Sequence, residues 1–266
     1  MWNTWDVFAS EFFGTMVLIL LGAGVVATNL LPKSKGRNGG WLMINFGWGL
    51  GVFAGVYAAW KTGGHLNPAV TIAKVTAYMF DPAVTLNGAA VDSPTAVPVT
   101  FMNVTVYIIA QFIGAFVGAV LAYLAFRKQF EEPTDPGIKL GVFSTGPEIR
   151  SYGWNLVTEI LATAVLVIFV MVAGGTPTSV GPLAVALIVV GIGASLGGPT
   201  GYAINPARDL GPRVAHAILP MRDKGTSDWS YAWVPVVGPI IGAILAVVVV
   251  YGMGLGSIDI TAALPL

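Results

Sequence analysis

Long apolar runs separated by short polar stretches set the pattern of this chain. Six of them approach the ~20 residues that carry a helix across the hydrocarbon of a bilayer. They run from Val7 to Leu31, Trp41 to Trp60, Val99 to Phe126, Leu156 to Ala173, Leu183 to Leu196 and Trp233 to Met253. The fifth is short as bounded and has room to begin near Val180. Two further segments, residues 68–79 and 206–219, are too short to span and read as re-entrant half-helices. Polar connections lie at Pro32–Gly40, Arg127–Ser151 and Met221–Ser230. The pattern predicts an all-α membrane protein, one domain over residues 1–266, with six transmembrane helices and two half-helices.

Both half-helices open on the same tripeptide, Asn67-Pro68-Ala69 and Asn205-Pro206-Ala207, each after a glycine-rich stretch. Asparagine caps helix N-termini well, and proline suits the first helical position because its missing N–H has no partner there anyway. Each copy therefore starts a short helix whose positive end points at something. Irregular backbone such as Gly63-Gly64-His65-Leu66 or Gly197-Gly198-Pro199-Thr200-Gly201 is tolerated at membrane depth only when packed in protein or lining a wet cavity. Two such ends in one apolar chain point to a pore or a binding site.

The halves repeat each other. Glu11 in the first run matches Glu159 in the fourth, and Gly114-x-x-x-Gly118 in the third matches Gly238-x-x-x-Gly242 in the sixth. Residues 1–126 and 152–254 form the two copies, each ordered span, span, half-helix, span. Three complete crossings per copy force the second to be inverted, so the half-helices enter from opposite faces and meet near the midplane. Inverted repeats with broken helices at their interface mark solute pathways.

Composition narrows the chemistry. Charged residues are 10% of the chain and hydrophobic ones 55%, against about 25% charged in a soluble domain. Thirteen basic and thirteen acidic side chains cancel, so nothing favours nucleic acid. Without cysteine, and with two histidines and no metal-ligand spacing, no enzyme, cofactor or metal site is expected. The first run lacks a basic leader and continues into glycine-rich sequence, so it reads as a retained span and not as a cleaved signal peptide.

His65-Leu66-Asn67-Pro68-Ala69-Val70-Thr71 and Asn205-Pro206-Ala207-Arg208-Asp209 resemble the paired motifs of the aquaporin family, and more narrowly its glycerol-facilitator (aquaglyceroporin) branch. The resemblance covers essentially the whole chain in the right order. It implies a passive channel for glycerol, water and other small neutral solutes, closed to ions and protons. It implies a selectivity constriction of Trp48, Gly193, Tyr202 and Arg208, with Gly193 providing space where water-selective members carry histidine. Tyr202 departs from the phenylalanine of the best-known glycerol facilitators. The implied pore acceptors are the carbonyls of Gly63, Gly64, His65 and Leu66, and of Gly201, Tyr202, Ala203 and Ile204; Asn67 and Asn205 are the central donors. Glu11 and Glu159 match the carboxylates that brace the two loops. The family also implies homotetramers with one pore per subunit, in the cell membrane, with both termini cytoplasmic.

Plainer readings exist for each residue. One Asn-Pro is an ordinary helix start; two at repeat-related positions are not. A single membrane aromatic is by default a packing or interfacial residue. Arg208 resists that treatment, since a charge at such depth is costly. His65 reads as a satisfied core histidine, His216 has no visible role, and the paired glycines permit close helix crossing. With cytoplasmic termini, eleven of the thirteen lysines and arginines fall outside, against the positive-inside expectation. Rival functions are a water-selective channel, a channel for small protonated acids such as lactic acid, and a proton-coupled transporter using Glu11 and Glu159 as a relay.

Overall fold

The computed structural model describes residues 2–173 and 180–255, and among these the regular structure is helical. The helices are α1 (Thr4–Leu30), α2 (Trp41–Ala58), α3 (Pro68–Phe80), α4 (Phe101–Ala125), α5 (Pro136–Phe143), α6 (Tyr152–Val172), α7 (Pro182–Leu196), α8 (Pro206–Ile218) and α9 (Val234–Gly252). Five of them, α1, α2, α4, α6 and α9, are long and apolar enough to cross a membrane. The fifth apolar run, α7, starts at Pro182 behind a Gly181 with φ of 56° and has 15 residues. At ~1.5 Å per residue it is shorter than the ~30 Å hydrocarbon layer. Val180 precedes it without helical structure, and the tail of the expected domain, residues 256–266, lies outside the described residues.

Local chemistry sets the helix ends. Asn3 caps α1 by accepting from the Asp6 N–H (2.9 Å), while the Asp6 carboxylate accepts from the Asn3 N–H (3.1 Å). This reciprocal arrangement satisfies two N–H groups that the helix itself leaves unpaired. In α5, Asp135 caps and Pro136 takes the first position. That helix falls inside the stretch Arg127–Ser151, expected from sequence to be a plain connection. Its cap-and-proline signal was present, but eight residues are too few for hydrophobic periodicity to show.

The packing is symmetric. α1 packs on α4 and α6 on α9, while α2 meets α7 across the middle. Each half-helix crosses to the other half, α3 lying against α9 and α8 against α4. The matched glycines are where the long helices cross. A Cβ on Gly114 or Gly118 would strike the carbonyls of Phe12 or Met16 in α1, and one on Gly242 the Ile160 carbonyl in α6. Backbone cannot yield as a flexible side chain does. Gly242→Val is therefore expected to cost about 3 kcal/mol, the upper end for overpacking, read as a lower thermal midpoint in detergent. Gly252→Val, where a Cβ meets nothing, is the control.

Candidate functional site

The N-termini of α3 and α8 meet at the centre. Asn67 accepts from the Ala69 N–H (2.9 Å), and Asn205 from Ala207 (3.0 Å) and Arg208 (3.1 Å). The other end of each amide crosses to the opposite half. Asn67 Nδ2 donates to the Ile204 carbonyl (2.8 Å), and Asn205 Nδ2 to the Leu66 carbonyl (2.8 Å). Each amide nitrogen carries two hydrogens, so one per asparagine remains.

The residues just before these caps are strained. Leu66 (φ 53°), Tyr202 (φ 39°) and Ile204 (φ 45°) lie in the left-handed region, with Gly63, Gly64 and Gly201 also at positive φ. For a side-chain-bearing residue this costs about 1–3 kcal/mol. The two buried carboxylates hold it. Glu11 accepts from the Thr62 hydroxyl (2.7 Å), the His65 N–H (3.1 Å), the Leu66 N–H (2.8 Å) and Gln111 Nε2 (2.8 Å). Glu159 accepts from the Thr200 hydroxyl (2.7 Å), the Ala203 N–H (3.0 Å) and the Ile204 N–H (2.9 Å). Leu66 and Ile204 thus have N–H on a carboxylate and C=O on the opposite asparagine.

That leaves a row of free acceptors. Among the described residues no protein donor reaches the carbonyls of Gly63, Gly64 and His65, or of Gly201, Tyr202 and Ala203. The Leu66 and Ile204 carbonyls, expected as pore acceptors with them, each already accept one asparagine hydrogen. The His65 ring is spent as well, with Nδ1 3.0 Å from the Thr71 hydroxyl and Nε2 2.7 Å from the Leu86 carbonyl. Facing a carbonyl, Nε2 must be the protonated nitrogen.

Two cavities adjoin these loops. One of about 270 Å³ is lined by residues 63–67, Leu86, Asn87, Lys74 and residues 202–205, and by apolar side chains such as Val52, Val56 and Val189. That is room for a file of waters and not for one alone. The second, about 380 Å³, is lined by Leu30, Trp41, Gly141, Thr145, Gly198 and Gly201 among others. Trp48, Tyr202 and Arg208 line both, so these three stand at the boundary. The Arg208 guanidinium lies 3.8 Å over the Trp48 ring, and one of its nitrogens donates to the Phe143 carbonyl (3.2 Å). Its other N–H groups have no protein acceptor among the described residues.

Gly193, the fourth expected constriction residue, is placed differently. It lines neither cavity. A Cβ there would strike Tyr202 Cζ (2.6 Å) and the Asn45 side chain, and one on Gly197 would strike Tyr202 Cδ1. The space that these glycines leave is filled by the Tyr202 ring. The sequence showed a vacancy but not its occupant.

Several residues at the site went unread. Thr62 and Thr200, each five positions before its asparagine, share one role, a regularity visible once the repeats are aligned. Gln111 links Glu11 to Thr71. Asp209 and Arg213, both fully buried, pair at 2.8 Å on α8. Asp209 accepts from the Thr145 N–H and hydroxyl (both 2.7 Å), and Arg213 donates to the Thr145 (2.9 Å) and Ser227 (2.8 Å) carbonyls. This clamp fixes the end of α5, and with it the Phe143 carbonyl that holds Arg208.

The family model described as Major intrinsic protein matches residues 1–86 and 78–251. The chain belongs to the major intrinsic protein family. Among family members it is similar to a probable glycerol uptake facilitator protein of Thermotoga maritima, 50% identical over 243 residues, covering 90% of this chain and 96% of that one. A glycerol uptake facilitator protein of Streptococcus pneumoniae is 48% identical over 242 residues, covering 90% and 95%. The solved aquaglyceroporin from Plasmodium falciparum superposes with a TM-score of 0.74 at 29% identity, over 93% of this chain and 96% of that one. The aquaporin fold, six membrane helices with two re-entrant half-helices in an inverted repeat, follows for this multi-pass member of the family.

Its surplus of cations on one side also finds a physical account. Lys33, Arg127, Lys128, Arg150, Arg213 and Arg222 sit in ion pairs. Lys139 donates to the Arg222 carbonyl of another connection, and Lys224 to the Ala217 and Leu219 carbonyls at the end of α8. Arg213 and Lys139 are buried in these contacts, and such charges report on the fold more than on orientation.

Proposed function

We propose that this chain is a passive channel for glycerol and other small neutral solutes, with water passing too, and that Trp48, Tyr202 and Arg208 form its selectivity constriction. The observation that carries the reading is the boundary between the two cavities. There a guanidinium with free N–H groups faces an aromatic corner of Trp48 and Tyr202. Such a corner suits a molecule with carbons along one edge and hydroxyls along the other. The glycerol facilitators among its relatives support the same substrate.

A solute entering sheds water and needs replacement hydrogen bonds. The free carbonyls on either side of the asparagines supply acceptors, and the spare amide hydrogens of Asn67 and Asn205 supply donors at the centre. Ions fare differently. Two half-helix N-termini, each resembling about half a positive charge, face the centre, and Arg208 adds a whole one. Aquaporin-type selectivity reduces to such terms, namely width, lining groups and electrostatic barriers. The reading makes the chain no enzyme, without a cofactor. It gives one domain of two repeats, residues 1–126 and 152–254, a homotetramer in the cell membrane, and cytoplasmic termini.

A proton relay through Glu11 and Glu159 is disfavoured, because neither lines a cavity and each is committed to loop donors. A water-selective pore is the second reading, favoured by the Tyr202 ring in the space above Gly193. Purified protein in liposomes, tested by stopped-flow light scattering with water, glycerol, urea and lactic acid, decides. Glycerol flux well above empty vesicles is expected; water flux without glycerol flux selects the second reading.

A further inference from the structure

We propose that Asn45 is a specificity-determining residue of this pore, acting by anchoring the Tyr202 hydroxyl beside α7. The proposal deepens the channel reading above and rests on it. Asn45 lies on α2, one turn before Trp48, and is fully buried. With its amide oriented to suit its surroundings, Nδ2 donates to the Tyr202 hydroxyl at 2.8 Å. Oδ1 then faces two donors at 3.2 Å, the Ala194 N–H and Trp41 Nε1, whose one hydrogen it shares with the Gly193 carbonyl at 2.9 Å. The Trp41 ring also packs edge-on against Tyr202, centroids 5.8 Å apart.

These contacts explain how tyrosine can occupy a constriction position. A phenol hydroxyl without a partner would be drawn to the water of the passage, and its ring would tip with it. Asn45 weakens that pull by giving the phenol oxygen a donor. Gly193 and Gly197 give the ring a seat, and the amide holds its polar tip there, so the aromatic face is what the passage meets. The strained backbone of Tyr202 (φ 39°) gives its side chain a fixed point of departure. Width at the boundary is then set by a side chain that itself lines neither cavity.

The cost of an error is asymmetric. Removing only the donor leaves a buried hydroxyl short of a bond; removing only the hydroxyl leaves a buried amide N–H short of one. Removing both leaves an apolar contact of similar shape, which is close to neutral, because Trp41 Nε1, released from Oδ1, still donates to the Gly193 carbonyl (2.9 Å). Asn45 is thus a positioning residue whose effect exists only while Tyr202 has its hydroxyl.

The test is a double-mutant cycle in liposomes, with Asn45→Leu, Tyr202→Phe and the double variant, reading glycerol and water permeability per reconstituted protein. Asn45→Leu is expected to lower the glycerol-to-water ratio about threefold or more, and the double variant to restore the parent ratio within twofold. An equal drop in the Tyr202→Phe background overturns the proposal, because Asn45 would then serve packing alone. So does an unchanged ratio in Asn45→Leu. A parent protein that passes no glycerol sinks the channel reading itself, which is a separate result. Should Asn45→Leu fail to fold, Asn45→Ala is used with the same cycle and the same criteria.

Discussion

Glu159→Ala is expected to abolish glycerol flux and to lower the thermal midpoint by many degrees. The substitution strips the Thr200 hydroxyl and the Ala203 and Ile204 N–H groups of their common acceptor. Each buried donor left unpaired costs about 1–3 kcal/mol. Three of them amount to roughly 5 kcal/mol, the scale of a whole domain's net stability. Ile204 makes matters worse, because a β-branched residue at φ of 45° relaxes as soon as its N–H is released. Relaxation would turn the free carbonyls of residues 201–203 away from the passage. Glu159→Gln keeps one acceptor but sets an NH₂ against a donor, so an intermediate loss is expected. Flux within twofold of the parent in Glu159→Ala would show that the loop holds itself.

Arg208→Ala is expected to raise proton and alkali-ion leak by about one to two orders of magnitude, with glycerol and water flux changed far less. A unit charge about 4 Å from a passing ion, in surroundings of effective dielectric near 20, is worth about 4 kcal/mol at most. Each ~1.4 kcal/mol is a factor of ten, and water filling the vacated space screens part of the remainder. Arg208→Lys separates charge from shape. Lysine restores a cation without the planar fork that stacks on Trp48 and reaches the Phe143 carbonyl. A pH-sensitive dye in the same vesicles reads the leak, and equal leak from mutant and parent removes Arg208 from the barrier.

The membrane helices were legible because length and apolarity write a span directly into sequence. The half-helices were legible because the Asn-Pro-Ala copies cap them, and their observed bounds, Pro68–Phe80 and Pro206–Ile218, differ from the sequence reading by one residue at the C-terminus. What escaped has a common cause. Asp209 with Thr145 and Asn45 with Tyr202 are contacts between buried polar groups that no period reveals, whereas Asp209 with Arg213 is an i,i+4 pair that helical spacing could have suggested. The partners in the first two are fixed by tertiary approach, as Thr145 is brought to Asp209 from 64 residues away. Gly193 shows the same limit from the other side. A missing side chain in sequence says that something comes close, and only the structure says that the Tyr202 ring does.

The crossed amide bonds, Asn67 to Ile204 and Asn205 to Leu66, have a consequence for how material can move through the molecule. Transporters built from inverted repeats alternate by rocking one repeat against the other. Here each repeat holds the backbone of its twin at the very seam such rocking would open, in both directions at once. These two bonds oppose such rocking, as suits a conduit more than a machine that alternates. Turnover has no conformational cycle to wait for, and flux should rise in proportion to the gradient where a rocking carrier would level off.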